Sequence, residues 1–252
     1  MQTELEALYR ARLPGLANLH DLARGVAALD PQVAESQAAM ADFPPWEPFV
    51  ADGEALWNTP FADGSSYAAC FAVPTAAIRP GYPRFDETSG EVVTLDLAIN
   101  ACRVVHGLTP LRHGGEELNA LVAFLGHAAR GHAIAIPQPA SAAAEAALAD
   151  GRATFFARRG QLELACSDCH VQAVGRVLRD VTLGPAIGVA GRFPVYSLKA
   201  GSLASLQARF QGCFRVVRAA PHPLQSRAWR NLEYYLNAVS QGYPITAPGL
   251  LR

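Results

Sequence analysis

The sequence predicts a mainly α-helical chain, built as two tandem copies of one small helical unit behind an N-terminal helical extension. Three observations carry this. Apolar residues recur at helical spacing, as at Leu118, Leu121, Val122 and Leu125. A weak set of segments in the first half returns in the same order in the second. The 252 residues, 50% hydrophobic and 17% charged, suffice for one large domain or two small ones with buried cores.

Residues 1–45 read as an Ala/Leu-rich helical extension broken at Pro14, Pro31, Pro44 and Pro45. The first unit, 46–137, opens with a short helix over Asp52–Trp57. It passes through a Gly/Ser loop to Cys70 and a stretch punctuated by Pro74, Pro80 and Pro83. Val92–Cys102 then carries a strand or a helix start, and Glu116–Leu125 a helix. Ile136-Pro137-Gln138-Pro139 is the linker. The second unit, 138–252, repeats the plan. Asp150–Phe155 matches Asp52–Trp57, Cys166 and Cys169 stand in the place of Cys70, and Asn231–Leu236 echoes Asn119–Phe124. Each final helix runs on into a Gly, a short apolar stretch and a Pro: Gly131 to Pro137, Gly242 to Pro248.

Charge and composition exclude several functions. Lys+Arg at 21 against Asp+Glu at 22 leaves a net charge of -1, without the basic excess that tracks a phosphate backbone, so no nucleic-acid partner is expected. No window holds the roughly 18 uninterrupted apolar residues of a membrane span. The start, Met1-Gln2-Thr3-Glu4-Leu5-Glu6, is acidic and has no apolar run behind a basic residue, so it is not a signal peptide.

Chemistry concentrates at Cys166-Ser167-Asp168-Cys169-His170, a CxxCH. Two thiols about one turn apart can form thioethers to the two vinyl groups of a haem, and the following His can present a ring nitrogen to the iron. The expected cofactor is one covalently bound haem c, tethered by Cys166 and Cys169 with His170 as proximal ligand. A second CxxC for structural zinc and a βαβ pattern for a redox dithiol are both missing. Gly151 and Phe155 share one face of the preceding helix and would pack against Tyr234 and Tyr235, as suits a cytochrome c architecture.

The distal ligand stays open on the residues alone. The two methionines, Met1 and Met40, lie far upstream, which disfavours a His/Met pair and leaves Lys199, Cys213 and His222. Arg209 precedes Cys213 by one turn if the stretch is helical, which favours a thiolate and draws an anion to it. Arg215 and Arg230 read as a solvated face, and His20, His106, His113, His127 and His132 as surface or loop-packing residues.

Several segments together resemble the SoxA family, c-type cytochrome subunits of bacterial sulfur oxidation. They are FPPWEPFVADGEALW (43–57), GEVVTLDLAINAC (90–102), RRGQLELACSDCHVQ (158–172), FPVYSLKAG (193–201), SLQARFQGC (205–213) and RNLEYYL (230–236). The resemblance implies two tandem cytochrome c-like domains, the first without its haem because Cys70 opens no CxxCH, and a disulfide between Cys70 and Cys102 in its place. It implies Cys213 as distal ligand and active-site cysteine, carried as a persulfide, and Arg209 as the substrate-binding residue. Ser197 departs from the family pattern, where an Arg is expected.

The implied reaction is oxidative conjugation of thiosulfate to a cysteine of the carrier protein SoxYZ, with electrons passing through haem to a SoxX partner in a heterodimer. A dianionic substrate calls for a residue such as Arg209, and sulfur transfer calls for a sulfur such as Cys213. Two other readings compete. One is a plain electron-transfer cytochrome ligated by His170 and His222, and the other a thiosulfate dehydrogenase that needs no carrier. Covalent haem and a disulfide together imply the periplasm, and the chain is then read as a mature form with Met1 added.

Overall fold

The computed structural model describes residues 1–251. The extension opens with α1 (Gln2–Arg12), turns at Pro14, runs through a 3-10 stretch over Leu19–Ala28 and ends with α2 (Pro31–Ala38). The Asp30 carboxylate accepts from the backbone N–H groups of Gln32 and Val33. Pro31 sits at the first helical position, where its missing N–H leaves nothing unpaired.

The expected helix around Asp52–Trp57 is α3 (Glu47–Asn58), followed by the single turn α4 (Thr75–Ile78). A hairpin of β1 (Arg84–Asp86) and β2 (Glu91–Val93) leads into α5 (Leu95–Val105), so Val92–Cys102 holds a strand end and a helix start together. Helix α6 (Glu116–Ala128) packs along α3. In the second half α7 (Ala142–Phe156) precedes the CxxCH, and a short hairpin of β3 (Val177–Leu178) and β4 (Val181–Thr182) follows it. Next come β5 (Val195–Ser197), β6 (Ser202–Ala204), α8 (Leu206–Val216) and α9 (Arg227–Ala238). Strand β7 (Gly249–Leu251) lies parallel to β5 and completes a sheet of order β6-β5-β7.

The internal repeat is visible in three dimensions. A Cβ on Gly53 would collide with the Ala120 carbonyl oxygen and come 2.9 Å from the Phe124 Cβ, and one on Gly151 would collide with the Asn231 carbonyl oxygen and come 2.9 Å from the Tyr235 Cβ. Each glycine therefore lets its helix lie against the partner helix at backbone distance. These contacts align Ala120 with Asn231 and Phe124 with Tyr235. The expected echo of Asn119 with Asn231 is thus out of register by one residue, because the shared Asn carries different jobs in the two helices. Asn119 donates to the Leu203 carbonyl at 3.2 Å, whereas Asn231 donates to Asp150 at 2.7 Å.

The two Gly-to-Pro segments after α6 and α9 pair with each other. Gly131 N–H donates to the Ile245 carbonyl and Gly242 N–H to the Ile134 carbonyl, both at 2.9 Å, around an antiparallel bridge between Ala133 and Pro244. A separate core fills each half. In the first, Trp57, Tyr67, Ile99, Leu118 and Leu121 are buried together. In the second, Phe155, Trp229, Tyr234 and Tyr235 gather residues of the extension, including Leu5, Tyr9 and Leu22. Arg230 does not join a solvated face. Its side chain is 12% exposed, pairs with Glu91 at 2.7 Å and donates to the Val92 carbonyl, tying α9 to β2 across the halves.

Candidate functional site

Cys166 and Cys169 are free thiols on the segment after α7. The Asp168 carboxylate folds back to accept from the Ala165 backbone N–H at 2.9 Å and lies 3.8 Å from Arg158, and Asp168–Gln172 closes as one wide helical turn. This turn brings His170 beside both thiols. The His170 Nδ1 is 2.9 Å from the Gly184 carbonyl oxygen, which can only accept. Nδ1 therefore carries the proton, and Nε2 keeps its lone pair for a metal.

Helix α8 supplies the facing residues. Ser205 caps it, its Oγ accepting from the Ala208 N–H at 3.2 Å, and hairpin β5–β6 delivers the chain to that cap. Phe210 and Phe214 pack on Trp229, with ring centroids 5.4 and 4.5 Å away, which fixes the helix's rotation. Arg209 and Cys213, one turn apart, then both face a cavity of about 220 Å³ that Cys166, Cys169 and His170 also line. Its remaining walls are largely apolar, with Phe155, Val181, Leu183, Leu206 and Leu232 among them.

The Cys213 thiol and the His170 ring are hydrogen-bonded. Burial pushes Cys213 up, yet the bond to His170 and the Arg209 charge outweigh it and hold the thiol below its ordinary value. His170 is pulled down by burial and raised on balance by that same bond. Cys166 is pushed up to about 11 by burial, and Cys169 is raised for the same reason.

The residues fit a covalently attached haem. Two free thiols at CxxCH spacing, an imidazole whose Nδ1 is held by Gly184 and whose other ring nitrogen is turned to Cys213, and an apolar cavity that all of them line are the donor set and setting a c-type haem requires. Of the possible distal ligands, only Cys213 reaches this cavity. His222 is exposed outside it, its ring edge-on to Trp229 and its carbonyl accepting from Trp229 Nε1 at 2.9 Å. Lys199 is exposed in the turn after β5. Ser197 closes that same turn, its Oγ accepting from the Ala200 N–H at 3.2 Å, and lies away from the cavity.

Three site residues had no sequence signal. Arg159 lines the cavity, sits over the Phe214 ring at 4.6 Å and reaches 3.8 Å from the Cys166 sulfur. Gly184 supplies the acceptor for His170, and Tyr9 reaches the His170 backbone from the far end of the chain. The partners of Tyr9 and Gly184 lie outside any local pattern, whereas Arg159 stands seven residues before Cys166 and belongs to no motif of its own. Cys70 and Cys102 form a disulfide, Cα to Cα 5.8 Å, away from this cavity.

Known proteins resemble this chain in sequence and fold. The family model described as SoxA/TsdA, cytochrome c domain, matches residues 52–134 and again 150–245. The L-cysteine S-thiosulfotransferase subunit SoxA of Allochromatium vinosum is 41% identical over 98% of this chain and 88% of its own, and that of Chlorobaculum tepidum is 37% identical over 96% and 84%. The SoxXA crystal structure from P. pantotrophus superimposes with a TM-score of 0.77 at 26% identity, covering 86% of this chain and 84% of that one. Two matches by one family model coincide with the two structural repeats, and the relatives align across nearly the full length, so the chain belongs to the SoxA/TsdA cytochrome c family.

Proposed function

We propose that this chain is a SoxA-type L-cysteine S-thiosulfotransferase subunit, which conjugates thiosulfate to a cysteine of the SoxYZ carrier and works as a heterodimer with a SoxX cytochrome. The observation that carries this reading is Cys213 meeting His170 in the wall of an apolar cavity, with Arg209 one turn away and the thiols of Cys166 and Cys169 lining the same cavity. A plain electron carrier has no use for a thiol in that position.

In this reading Cys166 and Cys169 would hold a single haem c through their thiols, and His170 and Cys213 would be the residues offering ligand atoms to its iron. Such a haem supplies an exit for electrons beside the reacting sulfur. Residues 46–137 form a cytochrome-like unit that has lost its haem, residues 138–252 the working unit, and 1–45 the extension. Covalent haem and the Cys70–Cys102 disulfide suit the periplasm.

Cys213 acts as a persulfide. Its terminal sulfur joins the outer sulfur of thiosulfate, which Arg209 holds by its sulfonate oxygens. One S–S bond forms, and two electrons leave for the SoxX subunit. The carrier thiolate then attacks the former outer sulfur of thiosulfate, forming one S–S bond and breaking another. The carrier keeps the thiosulfonate and Cys213 recovers its persulfide. Over the cycle the carrier thiol loses one proton.

Mass spectra of unreduced peptides test this directly. One haem on the Cys166–His170 peptide and one added sulfur on the Cys213 peptide are expected. Cys213→Ala should keep the haem and lose turnover with SoxYZ; retained turnover would overturn the assignment.

A further inference from the structure

The Tyr9 side chain is completely buried at the junction of α1 with the CxxCH turn. Its hydroxyl lies 2.6 Å from the His170 carbonyl oxygen, which can only accept, and 2.8 Å from the Ala186 backbone nitrogen, which can only donate. Both roles of the phenol are therefore fixed: it donates to His170 and accepts from Ala186. The chain segment that gives Tyr9 its proton partner also carries Gly184, whose carbonyl holds His170 Nδ1 at 2.9 Å. Tyr9, the His170 backbone, the His170 ring and the 184–186 segment thus close a ring of hydrogen bonds around one imidazole.

We infer that Tyr9 is a positioning residue for His170, holding both the backbone of that histidine and the loop that orients its ring. The inference rests on the reading of His170 as a haem ligand. It deepens that reading by making the N-terminal extension part of the haem site. Other contacts seat the extension without touching His170. The Tyr243 hydroxyl is 3.2 Å from Glu6, Gln2 donates to the Gln241 carbonyl at 2.9 Å, and Thr246 donates to the Ala23 carbonyl at 3.0 Å. Gly25 and Val26 of the same extension line the cavity itself. A ligand whose ring and backbone are both held keeps one orientation toward the iron, the usual task of partners beyond the ligand itself.

Two variants separate this role from ordinary stabilisation. Tyr9→Phe keeps the ring that fills the core and deletes only the hydroxyl. Tyr243→Phe deletes the hydroxyl that seats α1 and leaves His170 untouched. In haem-loaded protein, the ferric electron paramagnetic resonance spectrum of Tyr9→Phe should split into more than one species, or broaden in its low-spin signal. The Ala186 amide should exchange roughly 2- to 10-fold faster, the worth of one hydrogen bond. Tyr243→Phe should lose comparable thermal stability and show neither change. An unaltered ferric spectrum in Tyr9→Phe overturns the inference, whatever happens to stability. Absence of haem from the wild-type Cys166–His170 peptide would instead overturn the underlying reading, and would be seen before any variant is compared.

Discussion

Cys102 occupies on α5 the position that Cys213 occupies on α8. Each helix follows a two-stranded hairpin and is capped by a hydroxyl, Thr94 accepting from Leu97 and Ser205 from Ala208, and each cysteine stands at the same distance beyond its cap. In the first half that cysteine is bonded to Cys70 and buried under a stack of Trp57 on Tyr67, ring centroids 5.5 Å apart. In the second it is free and faces a cavity. One scaffold has thus been closed by a covalent cross-link and aromatic filling in one copy, and kept open for chemistry in the other.

The cross-link should therefore matter to stability and not to the chemistry. Cys70 and Cys102 are 32 residues apart, and a loop of that size loses enough unfolded-state freedom to stabilise by about 2–4 kcal/mol. The double variant Cys70→Ser/Cys102→Ala should unfold at lower urea by that amount while binding haem at Cys166 and Cys169 as before. Urea titration and a haem stain of the denatured protein check both halves of this statement.

Gly151 and Gly53 predict a second, sharper effect. Alanine in mid-helix ordinarily gains up to about 1 kcal/mol over glycine. At these two sites the new methyl meets a carbonyl oxygen of the partner helix, and a backbone atom cannot step aside. Overpacking of about 1–3 kcal/mol should win, so that Gly151→Ala and Gly53→Ala both destabilise. Gly212→Ala on α8 is the control. Nothing lies within 4 Å of its Cβ position, and that variant should gain stability. The three urea midpoints should fall on opposite sides of the wild type.

Much of the site was legible because its parts are local in sequence. The CxxCH announces its thiols and its histidine within five residues, and the spacing of Arg209 and Cys213 needs only a helix to put them on one face. Gly151 could be paired with Tyr235 because Gly151 and Phe155 fall one turn apart on α7 and the aromatics of the amphipathic α9 mark its buried face. What stayed hidden depends on contacts between distant segments. Tyr9 is the single aromatic of α1, a helix with no motif around it, and only the fold shows it reaching His170. Arg230 looked like one more surface arginine until β2 was seen to bring Glu91 to it. The equivalence of Cys102 and Cys213 lay within reach of the sequence, since Pro83 and Pro194, Gly90 and Gly201, and Leu95 and Leu206 stand in the same register before the two cysteines.

Between the halves, Asp96 of α5 is 15% exposed, lines a narrow cleft with Arg79 and Glu233, accepts from Gln225 at 3.4 Å and lies 4.0 Å from His113. Burial, assisted by the neighbouring Glu233 charge, pushes its carboxyl up from 3.8 to about 7, with Arg79 and Gln225 opposing. A carboxyl raised on folding keeps a proton that the unfolded chain has shed. Its contribution is most favourable below the ordinary carboxylate range and is lost as pH rises toward 7. Stability of the wild type relative to Asp96→Asn should therefore fall between about pH 4 and 7, by about 1.4 kcal/mol per pH unit at most, and level off above. Urea denaturation of both proteins across that range gives the difference curve; a flat curve would show that Asp96 is charged in the folded protein throughout.

Arg209 is exposed at the cavity one turn from Cys213 and has no carboxylate partner among the described residues, so it can meet an anion arriving from solvent. A charge-assisted hydrogen bond to a sulfonate oxygen is worth about 1.5–3 kcal/mol, which corresponds to roughly 10- to 100-fold in kcat/KM. Arg209→Ala should lose that much for thiosulfate, with haem attachment and the ferric spectrum preserved. Arg209→Lys should recover only part, because an ammonium keeps the charge and gives up the planar fork that matches two oxygens at once. Added salt should depress the wild-type kcat/KM more than that of Arg209→Ala, since the charge that salt screens is already gone in the variant. Steady-state rates with thiosulfate and the carrier measure all three effects, and an Arg209→Ala enzyme with unchanged kcat/KM would move the anion site to another arginine on the rim, with Arg159 the first to replace.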